Sequence, residues 1–138
     1  MQPVILDTNV LVAALRSQTG ASHRLLLQLA AARKWEPCVS TALTLEYESV
    51  LRRQASALGL TPSDADVLVN FVCGAARECQ IRFRWRPLSA DAGDDLVLEV
   101  AIAAGARYII TFNKRDFAEA AKFGIEVVTP REFLNTLN

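Results

Sequence analysis

Residues 4–15 read VILDTNVLVAAL, and the fold turns on how the three polar residues in the middle are read. Val4, Ile5 and Leu6 form a short continuous apolar run, which predicts a strand buried on both faces. From Val10 to Leu15 the chain is apolar again, now with alanine-rich helical character. A strand that stops at Asp7 and turns into a helix puts that carboxylate at the strand's carboxyl end. In open α/β sheets this is where ligands bind. Asp7 also suits a turn or a helix N-cap, and the stretch alone does not separate these roles.

Working outward, the segments keep alternating in type. Residues 21–34 (ASHRLLLQLAAARK) are predicted helical, with Ser22 as a candidate cap, and residues 37–39 form a short strand. Residues 41–58 (TALTLEYESVLRRQASAL) make a long amphipathic helix ended by Gly59. Thr61, Pro62 and Asp64 are a helix-start signal for a segment running to about Arg77. Residues 80–86 (QIRFRWR) alternate strictly, as a half-buried strand does. A helix over 94–104 ends at Gly105, a strand follows over 107–111 (RYIIT), then a helix over 114–122 closed by Gly124. A strand over 125–128 and a short helix opened by Pro130 complete the chain. Strands separated by helices of this length predict a mainly parallel central sheet covered on both faces, a three-layer α/β/α sandwich.

The 138 residues are the size of one ordinary domain, and about half of them are apolar, so a single core spanning 1–138 is expected. No apolar run reaches the length of a membrane span, and the N-terminus lacks the pattern of a signal peptide. Cys38, Cys73 and Cys79 form no paired framework and no CxxC; they read as small buried thiols of a reducing, cytoplasmic compartment. Fifteen basic and 15 acidic residues give zero formal net charge. Nucleic acid could then be held only by local basic patches, not by a whole-chain field. The lone histidine, His23, argues against a histidine triad or a multi-histidine metal site. The chemistry falls to carboxylates, hydroxyls, amides, lysines, arginines or thiols.

Several acids sit where chemistry is feasible. Glu46 and Glu48 lie at opposite edges of the apolar stripe of the long helix (Leu43, Tyr47, Val50, Leu51), and periodicity does not choose between them. Asp94 and Asp95 open a helix that is apolar nearly all round; either can cap it or complement its dipole, as can Asp91 just upstream. Glu99, the only charge inside that helix, is expected on its exposed side. The stretch TFNKRDF (111–117) copies the opening one: an apolar strand, then Thr111, Asn113 and Asp116, then a helix. Carboxylates about 5 Å apart repel by roughly 3 kcal/mol per pair at an effective dielectric of 20. Several such pairs rival a domain's whole stability, so acids gathered at one place call for a cation. All-oxygen ligation suits Mg²⁺ or Mn²⁺, ions that activate water and stabilise developing charge on phosphate.

In order and spacing, VILDTNVLVAAL, VSTALTLEYESVLRR and GDDLVLEVAIAAGARYIITFNKRDF resemble the PIN-domain nucleases, and most of all the VapC-like toxin components of bacterial type II toxin–antitoxin systems. The resemblance covers nearly the whole chain. It implies a parallel sheet between helices and an endoribonuclease dependent on one or two Mg²⁺ or Mn²⁺ ions. It also implies acids from separate segments converging in one cleft. Position by position, the family acids fall on Asp7, Glu46, Asp94 (with Asp95 its immediate rival) and Asp116. Some relatives carry an acid where this chain has Asn113, which supplies no charge. Asn9 and Thr111 match polar positions that support the acids or touch substrate. Thr8, with Asn9, would orient Asp7 or the water around an ion. Ser40 resembles a small hydroxyl residue carried ahead of the second acid. The resemblance further implies single-stranded RNA as substrate, a small cognate antitoxin that covers the cleft, and a homodimer. Glu46 is the candidate proton acceptor.

Local cations that could touch RNA are Arg16, Arg52, Arg53, Lys114 and Arg115. Arg82, Arg84 and Arg86 share one face of the predicted QIRFRWR strand, which suits a solvated sheet edge as much as phosphate binding. The apolar face of 63–79 is a candidate partner surface. The main alternative is a PIN-like module that binds RNA or protein without cutting. A haloacid-dehalogenase-type phosphatase also starts with a strand ending in Asp, but needs a second Asp where this chain has Asn9. A purely structural domain leaves the repeated strand–polar–helix pattern unexplained.

Overall fold

The computed structural model describes residues 1–31, 34–82 and 92–137. Five strands, β1 (Gln2–Leu6), β2 (Trp35–Val39), β3 (Arg77–Glu78), β4 (Tyr108–Ile110) and β5 (Glu126–Val128), form one sheet in the order β3-β2-β1-β4-β5. Every pairing is parallel. The helices are α1 (Thr8–Arg16), α2 (Ala21–Leu27), α3 (Thr41–Ala57), α4 (Pro62–Ala75), α5 (Ala92–Ala104) and α6 (Pro130–Thr136). The chain leaves β1 toward β2 and β3, then returns to the other side of β1 for β4 and β5. Crossovers run both ways from β1, and with the usual right hand of such connections this puts helices on both faces. The expected α/β architecture is therefore the one observed. Its order reverses between β1 and β4, and the carboxyl ends of those two strands bound the crevice such sheets use for ligands.

Burial explains the strand assignments. Val4, Ile5, Leu6, Ile109 and Ile110 are completely buried, as central parallel strands require. Phe133 of α6 closes one end of the core, edge-on to both Trp35 (5.5 Å) and Tyr108 (5.3 Å). Among the described residues no helix is long and apolar enough to cross a membrane. All three cysteines are free thiols; Cys38 is buried, Cys73 and Cys79 only half-buried.

The register decides what stands at the carboxyl edge. Leu6 pairs with Ile110, and Ile110 with Val128. Continuing these ladders by one residue places Asp7 beside Thr111 and Thr111 beside Thr129. On the other side, the β1/β2 register brings Ser40 next to Asp7. Three of these residues cap helices: Asp7 caps α1, Ser40 caps α3 and Thr129 caps α6. Polar side chains at this edge thus satisfy the open N–H groups of the helices that follow. Helix α4 starts where the Thr61, Pro62 and Asp64 signal places it, and there Thr61 and Asp64 form a reciprocal capping box with Pro62 at the first position.

Six expectations are corrected. The helix expected over 21–34 ends at Leu27 and tightens into a 3₁₀ turn over Gln28–Ala30; residues 32–33 lie outside the described residues. Gly20, not Ser22, is its cap, and Ser22 is buried. Helix α4 stops at Ala75, because Ala76 turns extended (φ −87°, ψ 152°) and Arg77–Glu78 are drawn into an edge strand on β2. The strand expected over 80–86 is not one in its described part, 80–82; Phe83, Arg84, Trp85 and Arg86 lie outside the described residues, as does Asp91. The helix expected over 114–122 is 3₁₀, spanning Lys114–Phe123, with a break at Phe117 (φ −115°, ψ 31°). Glu99 is buried, not exposed, because α5 packs against β1, β2, β4 and α3 and has little free face.

Candidate functional site

Asp7, Thr8, Asn9, Glu46, Asp94, Asn113 and Asp116 line one cleft of about 370 Å³, together with Val12, Val50, Gln54 and Gly93. Residues from four separate stretches thus share one space at the sheet's switch point. Asp7 enters it from the end of β1. Its backbone N–H donates to the Ile110 carbonyl at 2.9 Å, completing the β1/β4 ladder. Its carboxylate Oδ1 accepts the Thr8 N–H at 2.8 Å, and Oδ2 accepts the Thr111 hydroxyl at 2.7 Å.

Thr111 is fully buried behind Asp7 and is the hub of this end of the cleft. Its Oγ1 also accepts from the Asn9 amide (3.3 Å) and the Asn113 N–H (3.0 Å). Asn9 returns through Oδ1, which accepts the Phe112 N–H at 3.4 Å. Asn9 therefore ties α1 to the turn after β4. Thr8 reaches the other wall, donating its hydroxyl to Glu46 Oε2 at 3.2 Å. Beneath that wall lies a residue the sequence reading counted only as core. Tyr47 is completely buried, and its hydroxyl donates to the Leu6 carbonyl, pinning the backbone just before Asp7.

Electrostatics follow from burial. Desolvation pushes the Asp7 carboxyl above its ordinary range. The hydrogen bonds from Thr111 and Thr8 pull it back, while the negative charges of Glu46 and Asp116 push it up further. The Tyr47 hydroxyl is pushed well up by burial, with Asp7 adding to the effect.

The remaining expected residues divide clearly. Of Glu46 and Glu48, only Glu46 faces the cleft, and of Asp94 and Asp95, only Asp94. Asp95 is buried away from the lining, 4% exposed. Ser40 caps α3, accepting the Leu43 N–H at 3.1 Å, and so orients the helix that carries Glu46. Lys114 is drawn to Glu132 of α6 (3.0 and 3.2 Å). The Glu132 carboxyl lies below its usual range, chiefly through the Thr129 N–H and then Lys114. Arg52 makes a bidentate pair with Asp66 (2.9 and 3.0 Å), fastening α3 to α4. Arg53 and Arg115 are exposed and do not line the cleft.

All polar donors in the cleft that can carry charge are carboxylate oxygens, the ligand type of hard divalent cations. Among the described residues no three His, Cys, Asp or Glu side chains are arranged as a finished chelate. A larger groove of about 460 Å³ has none of Asp7, Glu46, Asp94 and Asp116 in its lining. It is mainly apolar and includes Leu26 and Leu27 of α2 and Val67 and Phe71 of α4, so the face expected as a partner surface does form part of a concavity.

A family model of the PIN domain matches residues 3–115. Among solved structures, the chain is similar to the crystal structure of VapBC2 from Rickettsia felis bound to a DNA fragment from their promoter. The TM-score is 0.60 at 14% sequence identity, over 91% of this chain and 97% of that chain. At that identity the likeness is one of fold. No individually curated protein matches the chain.

Proposed function

This chain belongs to the PIN-domain family, and from that premise we propose that it is a metal-dependent endoribonuclease. It hydrolyses phosphodiester bonds of single-stranded RNA as the toxin of a toxin–antitoxin pair. The observation that supports this most is the shared cleft: Asp7, Glu46, Asp94 and Asp116 arrive from distant parts of the sequence and face one another there. Burying Asp7 next to like charges raises its carboxyl, a cost that a bound cation offsets.

The donor set fits Mg²⁺ or Mn²⁺, one ion or two, taking a few carboxylates and keeping much of its water. A divalent cation held there supplies Lewis acidity to a scissile phosphate and to the attacking water. The protein's own groups do the rest. Asp7 is the central ligand, held by Thr8 and Thr111 so that its oxygens need not reorganise. Asp94 and Asp116 contribute from the other walls. Glu46, half-buried and within reach of the Thr8 hydroxyl, takes the proton released by the water. Asn113 offers an amide without charge, and Asn9 holds the turn that presents it. Arg53, Lys114 and Arg115 are exposed on the elements that carry Glu46 and Asp116 and are the cations offered to the RNA backbone, Lys114 only on release from Glu132. In this reading 1–138 is one domain that acts in the cytoplasm as a homodimer and is restrained by a small antitoxin.

The test is cleavage of single-stranded RNA by the purified protein in Mg²⁺, in Mn²⁺ and in chelator. Cutting should require the metal and vanish in Asp7→Asn. An Asp7→Asn variant that cuts at the parental rate would overturn the assignment. Absence of metal-dependent cutting, together with no Mn²⁺ binding heat tied to Asp7, would leave a binding module instead.

A further inference from the structure

Helices α1 and α3 follow neighbouring parallel strands and run side by side in the same direction. Two hydrogen bonds join them at a constant offset of 38 residues: Thr8 to Glu46 (3.2 Å) and Arg16 to Gln54 (3.1 Å). Between these rungs, at the same offset, stand Val12 and Val50, both half-buried. Val12, Val50 and Gln54 all belong to the lining of the acidic cleft. The cleft therefore continues as a furrow with an apolar floor, from Glu46 to the Arg16–Gln54 rung. Eight helical residues separate the rungs, a distance of about 12 Å.

We infer that this furrow is the track of the RNA strand flanking the cut, with Arg16 anchoring a phosphate some nucleotides from the scissile one. The inference rests on the nuclease reading and adds a substrate-length requirement to it. Its physical basis is charge. The centre is acidic, so phosphates other than the one on the metal are repelled there, and the flanking strand must be held by a cation farther away. Arg16 is suited to this because its partner is a neutral amide. Gln54 accepts one of five guanidinium N–H donors and neutralises nothing. Arg52 and Lys114, by contrast, already face the carboxylates of Asp66 and Glu132. The valine floor offers an apolar surface to sugar and base faces. A strand rising ~3.4 Å per nucleotide when stacked, and more when extended, crosses the furrow in about two to four nucleotides.

The experiment is kcat/KM on oligoribonucleotides of two to eight nucleotides, for the wild type, Arg16→Ala and Arg16→Lys. Wild-type kcat/KM should rise once the flank is long enough to reach Arg16. Arg16→Ala should lose that rise, by roughly tenfold and in KM, with the loss confined to the longer substrates. The salt dependence of binding to those substrates should fall by about one unit of log–log slope, and Arg16→Lys should restore it. Identical length profiles for wild type and Arg16→Ala would refute the track. So would an equal loss on the shortest and longest substrates, which would make Arg16 part of the centre or of the fold. If the wild type cuts no RNA of any length, it is the nuclease reading that fails.

Discussion

Thr111 Oγ1 donates to Asp7 Oδ2 at 2.7 Å, joining the ends of β4 and β1 at the point where the strand order reverses. The parallel register sets up this contact, because Leu6 pairs with Ile110 and the next residue on each strand is then a neighbour. The hydroxyl also accepts from Asn9 and Asn113, so one side chain fixes an acid, a helix and a turn.

Thr111→Val keeps the shape and removes the hydroxyl. It leaves a buried carboxylate oxygen and two donors without their partner, so the folded state should lose about 1–3 kcal/mol. Urea unfolding at fixed pH reads this directly, with the slope unchanged. If Asp7 is a metal ligand, Mn²⁺ affinity should also fall, by about 10- to 100-fold. A variant with parental stability would show that the hydrogen bond contributes nothing net.

Asp7 gives a pH signature with a definite sign. Burial first, then Glu46 and Asp116, hold its carboxyl above the ordinary range. A group with a raised folded value binds its proton more tightly when folded. Its contribution to stability is therefore full below the ordinary carboxylate range and is lost as pH rises through the raised value. In chelator, the melting temperature of the wild type should fall across that window relative to Asp7→Asn, which cannot ionise. The difference between the two curves reports Asp7 together with its coupling to Glu46 and Asp116, and acids remote from Asp7 cancel. Curves that stay parallel would remove Asp7 as the source.

Asp94 and Asp95 separate by position. Asp94 lines the cleft, while Asp95 is buried outside the lining. Asp94→Asn should weaken Mn²⁺ binding and RNA cleavage at little cost in melting temperature. Asp95→Asn should shift melting more than it shifts metal affinity. The opposite pattern in paired calorimetry and melting would move the third ligand to Asp95.

The centre of the fold was legible because two stretches state it twice. VILDTN and YIITFN each place polar residues directly after an apolar strand, and both strand ends meet at the switch point. What stayed hidden depended on which way helices face. Glu46 and Glu48 flank the same stripe, so only packing of α1 against α3 shows that Glu46 faces the cleft. Helix α5 is apolar all round, which gives no face on which to place Glu99, and the structure buries it. Tyr47 looked like one more apolar stripe residue, since a buried hydroxyl that serves a distant carbonyl leaves no local pattern. Val12, Val50 and Gln54 are spaced for helix packing, and their cleft role needs the partner helix. Of the strand expected over 80–86, only residues 80–82 are described, and they are not strand. Residues 77–78 pair with β2, and the alternation downstream does not extend that ladder through 80–82.

The contact between Asp7 and Thr111 spans 104 positions of the chain. During synthesis Asp7 leaves the ribosome well before its companion at the end of β4, which emerges only after all the residues between them. Until then Asp7 lacks the hydroxyl that holds its Oδ2, so this end of the cleft is finished only once β4 has joined β1.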